Sequence, residues 1–154
     1  MRLNDKIERE IHINAGIGRV WDLVSLPGWW VGEGVDDGAT FTEEGDYHVV
    51  THPKYGRVLV KVDSVQPRSY LAYRWASAFP GEEPTEGRAT LVEFWLSERD
   101  GGTQVRVVES GFASLATSPE ARQREFEGNT EGWRYELDLL ARRSIQAGAG
   151  QASA

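Results

Sequence analysis

Much of the chain alternates apolar and polar residues in short runs, the pattern of strands with one buried face. In the first run, Ile7, Ile11 and Ile13 alternate with polar or charged residues. Six further runs are predicted as strands at 39–42, 47–51, 58–65, 70–77, 89–97 and 103–112. Because short segments rich in Gly, Pro and Asp separate most of these runs, we expect an antiparallel meander.

A helical pattern follows the last strand. Phe126, Trp133, Leu137 and Leu140 repeat at three- and four-residue steps, with Thr130 completing the stripe. This spacing predicts one long helix, from about residue 119 to 143, with an apolar face. Serine and proline at 118 and 119 are typical of a helix start.

The stretch between the first strand and residue 30 predicts two short helices. Val20, Trp21 and Val24 share one helical face, and Pro27-Gly28 ends the pattern immediately before Trp29-Trp30. The order strand, helix pair, six strands, long helix predicts an α+β fold in which a curved seven-stranded antiparallel sheet wraps around the C-terminal helix. We expect one domain over residues 1–146 and a disordered tail over 147–154.

Gly128 and Gly132 are unusual in the middle of a predicted helix, where each costs roughly 1 kcal/mol relative to Ala. They indicate that a backbone or a ligand comes close to the helix there. A break in the helix at Gly128-Asn129 is the alternative.

Composition limits the possible functions. The 154 residues carry a formal net charge of −7, which opposes binding to nucleic acid or anionic membranes. The chain lacks cysteine and any apolar run long enough to span a bilayer, so we expect a cytoplasmic protein without membrane insertion. The excess of arginine over lysine favours a bacterial genome rich in GC.

Metal and nucleotide sites are not predicted. His48 and His52 have the spacing of a helical zinc site, but this segment is expected to be a strand, where the two side chains lie about 13 Å apart. Gly16 and Gly18 are interpreted as a turn, because a dinucleotide fingerprint needs a third glycine and a parallel sheet. Gly32-Glu33-Gly34 is interpreted as a flexible loop at the mouth of a cavity. We therefore expect no cofactor and no metal, and assign no catalytic residue.

Aromatic residues are concentrated at positions that face inward. We predict that they line an apolar cavity between the sheet and the long helix, with simple core filling as the alternative. The predicted ligand-binding residues are Trp29, Trp30, Tyr73, Trp75, Phe94, Glu109, Phe112 and Trp133.

Glu109 is the carboxylate in the least expected place, because Val105 and Val107 give it an inward phase. A buried acid needs a partner or a raised pKa. It either pairs with inward Arg9, which would make it structural, or faces the cavity, where it could anchor a ligand or act as an acid or base. We favour the structural or ligand-anchoring role.

These features resemble the START-like (SRPBCC) helix-grip superfamily and, within it, the family named after the activator of the ninety-kilodalton heat-shock protein ATPase. The resemblance covers most of the chain and rests on a set of short motifs. They are the Val20-Trp21 helix, Trp29-Trp30, the strand at 58–67 followed by 70–75, Gly102-Thr103 with Val105 and Val107, Gly111-Phe112, and Gly132-Trp133 followed by Leu137 and Leu140. The chain departs from the family at 16–19, where a proline and an acid usually precede the Val-Trp step.

The resemblance implies a hydrophobic ligand cavity and leaves the reaction open. We expect binding of a small lipid-, flavonoid- or polyketide-like molecule. The alternatives are a cyclase- or hydrolase-like enzyme that uses the same cavity, with Glu109 and Tyr73, and a co-chaperone-like module that binds a protein partner.

Overall fold

The computed structural model describes residues 5–31 and 38–153, with side chains up to residue 145. The strands are β1 (Lys6–Ile13), β2 (Thr40–Glu44), β3 (Tyr47–His52), β4 (Gly56–Gln66), β5 (Tyr70–Trp75), β6 (Thr90–Arg99) and β7 (Gly102–Ser110). The helices are α1 (Ile17–Val24) and α2 (Pro119–Ser153), and a short 3₁₀ turn lies at Phe112–Ser114. The tail at 147–154 falls where no side chain is described, so its expected disorder stays a prediction.

The seven strands form one antiparallel sheet in the order β1-β7-β6-β5-β4-β3-β2. β2 to β7 form a meander. The first strand, β1, lies at the edge of the sheet beyond β7 and pairs with it, with Ile7 opposite Glu109 and Ile13 opposite Thr103. A bulge between Val62 and Ser64 interrupts the pairing of β4 with β5. Bulges increase local twist and bend, which helps such a sheet to curve. The predicted α+β fold is confirmed.

The inward face of the sheet follows the predicted alternation. On β6, Val92 and Phe94 are fully buried, and on β7 Val105, Val107 and Glu109 are fully buried too. Because side chains alternate between the two faces of a strand, one phase on each strand fixes which residues form the core. Glu109 is therefore a core residue by register, and the sequence predicted this phase correctly.

α2 begins as predicted, where the Ser118 hydroxyl oxygen accepts a hydrogen bond from the Ala121 amide at 3.1 Å. Its buried stripe contains Trp133, Leu137 and Leu140, and the helix packs against β1 and α1. The helix is continuous through Gly128 and Gly132, so the alternative of a break at Gly128-Asn129 is wrong.

The second short helix after β1 is not found in the described part of the chain. Residues 25–31 instead form consecutive turns, in which the Trp29 amide donates to the Leu26 carbonyl and the Val31 amide to the Gly28 carbonyl. Pro27 lacks an amide hydrogen, and Gly28 has a φ of 82°, which a helix does not allow. A Cβ at Gly28 would lie 2.4 Å from a Val50 methyl group, so this turn requires glycine. These turns direct Trp29 and Trp30 into the core.

Candidate functional site

A pocket of about 420 Å³ lies between α2, the β4–β5 part of the sheet and the turns that follow α1. This volume is in the range of small-molecule sites. It is lined by Trp30, Val31, Tyr55, Val58, Trp75, Ser77, Pro80, Glu125, Gly128, Asn129, Gly132, Trp133 and Glu136. The loop at 32–34, predicted to form the cavity mouth, lies outside the described residues.

One face of α2 forms a whole wall of this pocket. Six residues of α2, from Glu125 to Glu136, line the pocket. Each of them except the last is followed by another lining residue three or four positions further along the helix, so the six form a single stripe. A Cβ added to Gly128 or Gly132 would meet no atom within 4 Å outside the local helix. The expected close approach of another backbone is therefore wrong. The two glycines instead leave open space in the middle of the wall.

Three tryptophans form the aromatic part of the pocket wall. The ring of Trp30 lies 5.5 Å from that of Trp75 and 5.8 Å from that of Trp133, measured between ring centroids. Trp30 also contacts Tyr73 behind it, at 4.9 Å. The indole N–H of Trp30 is buried and has no hydrogen-bond acceptor. A buried donor without an acceptor is costly, so this part of the wall has unused hydrogen-bonding capacity.

Glu109 lies behind this wall and holds it together. Its Oε2 accepts hydrogen bonds from the indole of Trp75 at 2.8 Å and from the hydroxyl of Thr90 at 2.5 Å. Its Oε1 accepts from the indole of Trp133 at 2.8 Å. The Asn129 amide donates to both oxygens at 3.2 Å. One buried carboxyl group thus positions three side chains of the pocket wall, from β5 and from α2.

Burial raises the pKa of the Glu109 carboxyl, because ionisation in the core loses the hydration of the charge. The four hydrogen-bond donors, Thr90, Trp133, Trp75 and Asn129, oppose this effect. Arg9 is not a partner of Glu109. Arg9 lies on β1 opposite Val107 of β7, and no ion pair joins it to Glu109 among the described residues. Neither of the two alternatives for Glu109 is found: its carboxyl group forms no ion pair with Arg9, and Glu109 is not among the residues that line the pocket.

The hydrogen-bond network continues from Glu109 to the pocket itself. The Asn129 amide also donates to the Ser77 hydroxyl oxygen at 3.2 Å, and that hydroxyl donates a hydrogen bond to Oε1 of Glu125. Ser77, Glu125 and Asn129 all line the pocket. The network therefore fixes the orientation of one carboxylate at the pocket surface.

The structure separates the eight predicted ligand-binding residues into three groups. Trp30, Trp75 and Trp133 lie on the pocket wall, and Glu109 lies directly behind them. The other four, Trp29, Tyr73, Phe94 and Phe112, lie in the core and not on the wall. All four are surrounded by protein atoms, and the indole N–H of Trp29, like that of Trp30, is buried without a hydrogen-bond acceptor.

Tyr73 and Phe112 illustrate how the protein itself occupies the surroundings of these core residues. The Tyr73 hydroxyl donates to the Val24 carbonyl at 2.8 Å, and burial raises the pKa of this phenol. The Phe112 ring packs edge-on against Phe126 at 5.3 Å. Neither side chain has a face left for a ligand.

Several wall residues were missed by the sequence analysis. Glu125, Asn129 and Glu136 could have been found by extending the helical stripe from Trp133 in steps of three and four. Ser77 and Pro80 gave no such signal, because they lie in a turn whose path depends on tertiary packing.

The two candidate metal ligands are in a strand, as predicted. His48 and His52 both belong to β3, and the ring nitrogen Nδ1 of His52 accepts hydrogen bonds from the amides of Lys54 and Tyr55. Within the described residues, no group of three or more His, Cys, Asp or Glu side chains is arranged to hold a metal ion.

The family model of the Activator of Hsp90 ATPase homolog 1-like protein matches residues 17–143. The chain therefore belongs to this family, as its motifs predicted. A comparison with curated proteins found no match.

Solved structures have the same fold. Protein MLL2253 from Mesorhizobium loti is 20% identical with a TM-score of 0.67, over 92% of this chain and 97% of that one. DynU16, from the dynemicin biosynthetic locus, is 19% identical with a TM-score of 0.65, over 95% of this chain and 49% of DynU16. The Aha1 dimer from Colwellia psychrerythraea is 17% identical with a TM-score of 0.63, over 91% and 96%. At these identities the similarity establishes the fold alone.

No helix in the described residues is long and apolar enough to cross a membrane.

Proposed function

We propose that this domain binds a small, largely apolar molecule in the pocket between the sheet and α2. The observation that carries the proposal is the wall of α2, where Gly128 and Gly132 face open space instead of packed atoms. Glycine lowers the stability of a helix, and here no close contact explains its presence. Room for a ligand is the explanation that we favour.

The chemistry of the wall supports the same function. Trp30, Trp75 and Trp133 offer apolar ring surface, and Ser77 and Asn129 offer a few polar groups beside it. Small-molecule sites combine these two features, apolar surface for affinity and a few polar groups for orientation. The unpaired indole N–H of Trp30 adds a donor that an oxygen atom of the ligand could satisfy after a small local movement.

The support behind the wall also favours a binding site. Glu109 holds Trp75, Trp133 and Asn129 by hydrogen bonds from behind. Their orientations are thus fixed before any ligand arrives. Preorganisation of this kind lowers the entropic cost of binding.

The proposal is tested by titrating the protein with lipids, flavonoids and polyketide-like aromatics while tryptophan fluorescence is recorded. We expect a saturable change with at least one of these classes, because three of the six tryptophans line the pocket.

A variant that fills the pocket makes the test specific. Gly132→Leu places an apolar side chain into the open space and should abolish the response. Arg134→Leu is the matched control, because Arg134 is exposed on the same helix and does not line the pocket. A response that survives Gly132→Leu, or no saturable response to any compound, would contradict the proposal.

The alternatives have less support. Catalysis by Glu109 would need contact with the bound molecule, but its carboxyl group lies behind the wall and is not part of it. The exposed large apolar side chains, which a protein partner would use, are distributed over several elements. In the part of the chain that the structure describes, they are Leu26, Phe41, Tyr55, Val65, Tyr135 and Ile145.

A further inference from the structure

The pocket wall has an uneven charge. Glu125 and Glu136 both line it, and the described residues of its lining include no Lys or Arg. Lys54 lies nearby, with its Nζ 5.3 Å from the centroid of the Tyr55 ring. Tyr55 therefore already contacts a cation.

Glu125 is the pocket carboxylate whose orientation is fixed by a hydrogen bond while one of its oxygens is available to a ligand. Its Oε1 accepts the hydrogen bond from Ser77, which is itself oriented by Asn129. Oε2 of Glu125 has no hydrogen-bond or ion-pair partner among the described side chains, and the residue is half-buried at the pocket surface. A fixed carboxylate with one oxygen available is a good acceptor for a cationic donor.

The rest of the wall is compatible with a cation and unfavourable for an anion. Tryptophan rings attract ammonium groups through the negative potential of their faces. A ligand carboxylate, in contrast, would face Glu125 across a partly desolvated pocket, where none of the lining residues in the described part of the chain is a Lys or Arg. The two negative charges would repel each other, which costs free energy.

We propose that the pocket selects a molecule in which an apolar ring system carries a protonated amine, and that Glu125 binds the amine. This inference rests on the proposed ligand-binding function and adds the chemical class of the ligand. Glu125 and Glu136 are eleven residues apart on α2, about 16 Å along the helix axis. The ring system would occupy the open space at Gly128 and Gly132, between these two carboxylates.

The test uses three probes that share one ring system: naphthylmethylamine, naphthylmethanol and naphthoate. Binding is followed by NMR, from the shifts of the indole N–H signals of the six tryptophans. We expect the amine to bind at least about tenfold more tightly than the alcohol, as a charge-assisted hydrogen bond would give. Naphthoate should bind most weakly of the three.

Glu125→Gln should weaken binding of the amine by about tenfold and leave binding of the alcohol unchanged. Glu131→Gln is the matched control, because Glu131 is exposed on α2 and does not line the pocket. It should leave all three affinities unchanged.

The possible outcomes separate the two proposals. If no probe shifts the indole signals while a lipid, flavonoid or polyketide-like aromatic gives a saturable fluorescence change, the amine class is wrong and ligand binding stands; if none of these compounds binds either, the proposed binding function fails. If the probes bind but the alcohol or naphthoate binds as tightly as the amine, the amine class is wrong and ligand binding stands. If the amine is preferred equally by wild type and Glu125→Gln, the role of Glu125 is wrong. Circular dichroism of each variant verifies that it is folded.

Discussion

Replacing Glu109 by Gln tests whether the buried carboxyl group organises the pocket wall. Glu109 accepts hydrogen bonds from two indole groups, one on each oxygen: Trp75 donates to Oε2 and Trp133 to Oε1. An indole N–H can only donate. A glutamine side chain has one acceptor oxygen, and its NH₂ group donates. In either orientation, the NH₂ group of the introduced glutamine must therefore face one of the two indoles.

The expected loss follows from this mismatch. One indole N–H becomes a buried donor without an acceptor, which costs about 1–3 kcal/mol. Protonation of Glu109 does not create the same conflict, because the Thr90 hydroxyl can accept the acid proton. We therefore expect Glu109→Gln to lower the free energy of unfolding by about 1–3 kcal/mol near pH 6.

Urea unfolding, followed by circular dichroism, measures this difference. Glu98→Gln is the control: Glu98 is exposed on β6, and its substitution should change stability by less than about 0.5 kcal/mol. In the NMR spectrum, the indole signals of Trp75 and Trp133 should shift in Glu109→Gln, while that of Trp95 on the outer face should not. A Glu109→Gln protein as stable as wild type, or more stable, would refute the donor argument.

Three further predictions concern pH, the core and the glycines. Because burial raises the pKa of Glu109 above its ordinary value of 4.5, folding favours its protonated form. The free energy of unfolding of wild type, relative to that of Glu109→Gln, should therefore be greatest below pH 4.5 and fall as pH rises through the raised pKa. Urea unfolding across this pH range measures the difference, and a difference that grows with pH would contradict the prediction. Trp133→Ala should cost about 3–5 kcal/mol in thermal or urea unfolding, since Trp133 is only 3% exposed; a change below about 0.5 kcal/mol would mean that it is not a core residue. Gly128→Ala should stabilise the protein by about 0.5–1 kcal/mol, because the added methyl group meets no atom within 4 Å; a destabilised variant would show that the space there is not open.

The fold could be predicted from the sequence because its local signals agree with one another. β1 and β6 show clear alternation, as in Val92, Phe94 and Leu96 on β6, and most turns carry their own glycine, proline or aspartate. The start of α2 is marked by Ser118 and Pro119. The second short helix was wrong although Pro27 and Gly28 already marked the end of the first one: Gly28 has a φ of 82°, and the residues around it form turns instead.

The candidate site was predicted only in part. Alternation identifies which side chains point inward, but it does not distinguish the packed core from the wall of a pocket. Tyr73, Phe94 and Phe112 point inward and are enclosed by protein, whereas Trp30, Trp75 and Trp133 border open space. That difference depends on where α2 separates from the sheet, which is a property of the tertiary structure.

The partner of Glu109 was also beyond the reach of the sequence. Opposite charge suggested Arg9, but the carboxyl group is satisfied by four uncharged side chains from three elements: β5, β6 and α2. Pairwise charge patterns do not predict such a network, because its members are brought together by strand register and helix packing.

The most direct test of ligand binding in the pocket is an NMR titration of wild-type protein with naphthylmethylamine, read at the indole N–H signals. We predict saturable shifts of Trp30, Trp75 and Trp133, which line the pocket, and constant positions for Trp21 and Trp95, which do not. Shifts confined to Trp21 and Trp95 would contradict a binding site between the sheet and α2, and so would absence of saturation with naphthylmethylamine and with the neutral naphthylmethanol alike.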